Sequence, residues 1–187
     1  MLIGECPPVK EEEPMRLARL VLCVGLLVAV LGCAPTVDVT EQNKQVVMEV
    51  VEAINEFRYD DLDHYIAQTY HRHCQATPDV SVETLDDFKA LMKGFEGAFS
   101  DAQVEIFELI AEGDLVAVIG TYRGTHTGQM EAFAATGKTI DSEFAGYHRF
   151  ESGKIVETWV TWDNLAMLQQ LGLFPPAPAE GDSGAID

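Results

Sequence analysis

The chain predicts an α+β domain with helices packed on one face of a mainly antiparallel sheet. Two observations carry this: helical periodicity fills the first half of the folded region, and β-branched alternation broken by two-residue turn signals fills the second. A third bounds the size. With 187 residues, 47% of them apolar, the chain can close one substantial core but is short for two.

From Thr40 onward Val46, Val47, Val50, Val51, Ile54 and Phe57 recur at three- and four-residue spacing, a first helix with Thr40 as its N-cap. Asp60 or Asp61 opens a short second helix that turns Leu62, Tyr65 and Ile66 inward. Thr84 caps a third that buries Leu85, Phe88, Leu91, Met92 and Phe95. After Ser100 the texture becomes that of strands. Val104 to Ala111 and Leu115 to Thr127 form a hairpin about Gly113-Asp114, and Thr139 to Phe150 and Lys154 to Trp162 form another about Ser152-Gly153. Between the hairpins, 128 to 137 reads as a loop. Asp163 or Asn164 starts a last helix carrying Leu165, Leu168 and Leu171, which Gly172 and Pro175-Pro176 end. Residues 175–187, rich in Pro, Gly and Ala, are expected to be disordered.

The first 33 residues read as an export segment. Arg16 and Arg19 precede the apolar run Leu20 to Leu31, too short to span a bilayer and followed by Gly32, Cys33 and Ala34. The acidic residues ahead of the basic stretch, Glu5 and Glu11 to Glu13, make Met15 the expected translation start. Val30-Leu31-Gly32-Cys33 resembles a bacterial lipoprotein lipobox, which implies a lipid anchor at Cys33 and an envelope location; an ordinary export signal is the alternative. Residues 34–40 are a linker, and 41–174 the folded domain.

Charge and cysteine usage exclude several classes. Twelve basic against 31 acidic residues give a formal charge of -19, which repels phosphate backbones and argues against a nucleic-acid partner. Four cysteines, Cys6, Cys23, Cys33 and Cys74, give no disulfide framework. His71-Arg72-His73-Cys74 has no spaced partner set that would complete a metal site, so no metal is expected, and no glycine-rich phosphate loop is present.

If Ser152-Gly153 is a two-residue turn, Phe150 pairs with Ile155, His148 with Glu157 and Gly146 with Trp159. Strict alternation then carries Asp163 onto the same face, so that two carboxylates and an imidazole share one aromatic wall with Trp159, while Tyr147, Arg149, Val156, Thr158 and Val160 lie opposite. Phe144, Trp159 and Trp162 would supply apolar surroundings that raise a carboxyl pKa. The alternative for Asp163 is a plain N-cap, and for His148 and Glu157 a structural cross-strand pair.

Gly124-Thr125-His126-Thr127-Gly128, Thr136-Gly137-Lys138, the stretch Gly153 to Trp159, Trp162-Asp163 and Leu168-Gln169-Gln170-Leu171-Gly172 occur in order. Together they resemble the SnoaL-like polyketide or ester cyclases over roughly Val46 to Phe174. The resemblance implies the cone-shaped fold of nuclear transport factor 2-like proteins, a hydrophobic pocket, a homodimer, and aldol-type ring closure of a small hydrophobic carbonyl compound without metal or cofactor. It implies Asp163 as the acid/base residue and His73 as a pocket histidine that orients substrate or carries protons. His148, Glu157, Trp159, Phe144, His126 and Phe95 are the expected substrate contacts, a surface turn being the alternative for His126. The rival function is non-catalytic binding of a hydrophobic ligand at the cell envelope, and a third reading is a dimeric interaction module.

Overall fold

The structure, a computed structural model, describes residues 38–130 and 132–174. The export segment, Met15, Cys33 and the tail from 175 lie outside the described residues. Helix α1 (Val39–Asn55) is followed by a 3-10 turn (Tyr59–Asp61), the single-turn α2 (Leu62–Tyr65), strand β1 (Ile66–Cys74) and α3 (Leu85–Ala98). Strands β2 (Gln103–Glu112), β3 (Leu115–Thr125), β4 (Thr139–Glu151) and β5 (Lys154–Trp162) come next, and α4 (Asn164–Leu171) closes the order. The five strands form one curved sheet in the order β1-β5-β4-β3-β2, with β1 parallel to β5 and all other pairs antiparallel.

Local chemistry sets these boundaries. Asp38, rather than Thr40, caps α1: its carboxylate accepts from the Thr40 amide at 3.0 Å, and the Thr40 hydroxyl at 2.7 Å together with that amide holds its pKa below the usual carboxylate range. Thr84 caps α3 through the Asp87 amide at 3.1 Å, and the Asp87 carboxylate returns to the Thr84 hydroxyl at 2.7 Å. The turn after β4 has positive φ at both Ser152 and Gly153, the type I′ geometry whose twist matches the flanking strands.

Strand β1 is the element that differs from expectation. Ile66, expected on the inner face of a helix, begins an extended segment instead, because residues 66 to 74 can pair with the otherwise open edge of β5. The core lies between the helices and the concave face of the sheet. Tyr70 from β1 meets Phe88 from α3 with ring centroids 5.2 Å apart, among buried Val47, Leu62, Leu85, Val116 and Ile155. Burial of each such side chain contributes about 1.5–3 kcal/mol.

Candidate functional site

The concave face and the helices do not close completely. They leave a cavity of about 210 Å³, lined by Val47, Val50 and Ile54 of α1, by Phe88, Met92 and Phe95 of α3, and by alternate residues of all five strands. Its wall is almost entirely carbon, and among its polar residues Tyr70 and Arg72 of β1, Thr158 of β5 and His148 of β4 come from three adjoining strands.

A β-bulge decides which residues of β5 face this cavity. Phe150 pairs with Ile155, but Arg149 pairs with Glu157, so Ile155 and Val156 together oppose one residue of β4. The partners downstream shift by one: His148 faces Thr158, Tyr147 faces Trp159 and Gly146 faces Val160. The expected His148–Glu157 and Gly146–Trp159 pairs are therefore incorrect, because the turn has two residues as predicted and the ladder still slips three residues later. Thr158, Val160 and Trp162 turn inward, and Glu157 turns outward.

The outward face has its own arrangement. His73 Nε2 donates to the Glu157 carboxylate at 2.8 Å and its ring stacks on Trp159 at 4.7 Å, Tyr147 stacks on the other side of the same indole at 4.6 Å, and Arg149 reaches Glu157 at 3.5 Å. His73 and Glu157, expected in the pocket, thus lie on the opposite face of the sheet. Trp159 touches the cavity wall, although its ring belongs to this outer stack. His126 is neither a surface turn residue nor a cavity residue. It is fully buried against Phe99, its Nδ1 accepting from the Thr136 amide at 3.3 Å, and it ties down the base of the 128–137 loop.

Asp163 stands at the end of β5, where its carboxylate accepts from the Ala166 amide at 2.9 Å and caps α4. It is exposed and does not line the cavity, while Trp162 before it and Met167 after it do. Of the expected contacts, His148, Phe144 and Phe95 are all in the cavity wall.

Three features of the wall follow from burial. His148 Nδ1 lies 2.8 Å from the Thr158 hydroxyl, and burial pulls the imidazole pKa down to about 4, so the ring is neutral at pH 7. Tyr70, beside Thr158 in the same wall, has its phenol pushed up to about 12 by burial. Tyr122 is raised as well, chiefly by burial, and Tyr59 is pushed up to about 12 by burial and by Glu96 beside it. Finally, Arg72 Nη1, Trp162 Nε1 and the Tyr122 hydroxyl are buried with no hydrogen-bond partner among the described residues. Such orphaned groups cost about 1–3 kcal/mol each unless something satisfies them. Among the described residues no group of three or more His, Cys, Asp or Glu side chains could hold a metal ion.

Tyr70, Arg72, Thr158 and Tyr122 were not among the residues expected at the site. The alternation of Tyr70 and Arg72 was a usable signal once β1 is read as a strand; nothing local marks the bulge that brings Thr158 inward.

A helical layer over a curved mixed sheet around an apolar cavity defines a nuclear transport factor 2-like fold. The sequence profile of the SnoaL-like polyketide cyclases matches residues 44–171, and the chain belongs to that family. Among solved structures it is similar to IdmH from Streptomyces antibioticus, a proposed polyketide cyclase, at 26% identity and a TM-score of 0.62, over 70% of this chain and 99% of that one. It is similar to AclR from Streptomyces galilaeus, a proposed hydroxylase, at 28% identity and a TM-score of 0.66, over 75% and 87% of the two chains. A proposed polyketide cyclase from Acidithiobacillus ferrooxidans gives 25% identity and a TM-score of 0.64 over 75% and 99%. No curated protein matches the chain.

Proposed function

We propose that the cavity is a reaction site of the family's kind, where a small apolar carbonyl compound undergoes aldol-type ring closure, or a related isomerisation or hydrolysis, by proton transfer without a cofactor. The observation that carries this reading is the neutral imidazole of His148 in an apolar wall, held by the Thr158 hydroxyl at 2.8 Å. Ring closure removes a proton from carbon next to a carbonyl and returns one to the new alkoxide. With Nδ1 engaged by Thr158, Nε2 is the ring atom left for the ligand. The neutral ring takes the α-proton at Nε2 and becomes an imidazolium only while the enolate it has just made lies beside it as counter-charge; the same Nε2 proton then goes to the new alkoxide, while Nδ1–H donates to the Thr158 hydroxyl oxygen throughout and fixes the tautomer. This assigns to His148 the chemistry that the family resemblance placed on Asp163, whose carboxylate is occupied as a cap.

The test is exchange of the α-protons of an aromatic β-keto ester for deuterium, followed by NMR. The wild type should accelerate exchange over buffer, His148→Gln should lose about 100-fold or more of that acceleration, and Asp163→Asn should keep it with unchanged stability, since asparagine caps as well as aspartate. No acceleration by the wild type, or full acceleration by His148→Gln, overturns the reading. Loss in Asp163→Asn alone returns the acid/base role to Asp163.

The exposed position of Asp163 favours a second reading, non-catalytic binding of a hydrophobic ligand at the bacterial envelope. A ligand that co-purifies in native mass spectrometry, with no exchange on any carbonyl probe, would establish it. Export with a lipid at Cys33, and a homodimer, belong to both readings; intact mass of the mature protein and sedimentation test them.

A further inference from the structure

The orphaned groups of the cavity describe the ligand's complement. Arg72 Nη1 and Trp162 Nε1 can only donate hydrogen bonds, so whatever satisfies them must bring acceptors. The two belong to one end of the cavity: the guanidinium carbon lies 5.8 Å from the centre of the Trp162 ring, and Arg72 sits beside Thr158 across the β1–β5 ladder. That end also carries a full positive charge that no carboxylate among the described residues pairs with. Arg72 forms no ion pair among the described residues, and the one carboxylate lining the cavity, Glu96, comes from α3 and lies beside Tyr59 instead. His148, which is neutral, adds no second cation.

We infer that the ligand carries a carboxylate, seated on the Arg72 guanidinium with Trp162 Nε1 as a second donor, and an apolar body that fills the carbon-lined remainder of the cavity. A carboxylate matches the guanidinium fork with two parallel hydrogen bonds, which a neutral ester or ketone cannot do. The cation–π contact with Trp162 holds the guanidinium near the indole but supplies no acceptor. The assignment rests on the cavity being the ligand site and narrows the proposed substrate to an apolar carbonyl acid. It makes Arg72 the residue that orients the ligand, with its reactive carbon brought toward His148 on the adjoining strand.

The experiment compares binding of 2-naphthoate, its methyl ester and 2-naphthylmethylamine to the purified protein by titration calorimetry, with Trp fluorescence as a second readout. The wild type should prefer the acid to the ester by about 10- to 100-fold, the range of a charge-assisted hydrogen bond, and should bind the amine least. Arg72→Leu should bind acid and ester equally, with ester affinity within about twofold of wild type, and Arg72→Lys should retain part of the preference. Ester binding without preference for the acid in the wild type overturns the inference and leaves the proposed site standing, as does a preference that survives in Arg72→Leu. Binding of none of the three overturns both. The wild-type comparison alone decides if the variants do not fold.

Discussion

His148 remains uncharged because its ring is enclosed by the cavity wall and its one protein hydrogen bond goes to a neutral hydroxyl, so nothing compensates a positive charge there. This links the residue to stability. Its folded pKa, about 4, is below the unfolded value of 6.5, so between these limits the unfolded chain binds more protons. Stability contributed by keeping His148 neutral is therefore present above pH 6.5 and is lost as pH falls toward 4, at no more than about 1.4 kcal/mol per pH unit. Urea melts across that window should show a shallower pH dependence for His148→Gln than for wild type. An unchanged slope would mean that solvent reaches the imidazole. At the same scale, Arg72 and Asp163 differ in the quality of their partners: the carboxylate is satisfied by a backbone amide, while Nη1 of the guanidinium waits for a group the described chain does not supply.

Among the elements, β4 and β5 approach so closely at Gly146 that a Cβ there would run into the Trp159 carbonyl oxygen. The obstacle is backbone and cannot rotate away. Gly146→Ala should cost about 1–3 kcal/mol, seen as a lower denaturant midpoint with an unchanged m-value; a neutral result would show that the two strands can separate without loss. Elements of this kind were legible in the sequence where one local signal sufficed. The Thr84 cap, the Ser152-Gly153 turn and the start of α4 at Asp163 all follow from short-range chemistry, and the bounds of β5 agree with its hydrophobic pattern. Strand β1 was not legible, because Ile66-Ala67-Gln68-Thr69 has no apolar alternation and is held extended by a partner some 90 positions away. The candidate site inherits both outcomes. Phe95, Phe144 and His148 were found from periodicity within their own elements, whereas Arg72 and Thr158 depend on β1 and on the bulge.

For the whole molecule, an unbalanced guanidinium inside the domain is a cost borne by the fold for the sake of its cavity. Replacing it with a hydrocarbon of similar length should stabilise the empty protein: Arg72→Leu is expected to gain on the order of 1 kcal/mol, raising Tm by about 3 °C, and a fall in Tm would show that the charge is satisfied in the empty state. The net charge of -19 works against that gain and is part of why it is small, since a negative surface favours any cation the domain keeps. The bulge at Ile155 and Val156 sets the phase in which the rest of β5 is read by the ligand. Downstream of it, one set of side chains (Thr158, Val160, Trp162) meets the cavity and another (Glu157, Thr161 and the ring of Trp159) meets the outside. Loss of a single codon there would exchange the two sets while leaving the order of strands untouched. Within one scaffold, a change of chemistry can thus come from a frame shift in space, with no substitution at any residue of the site.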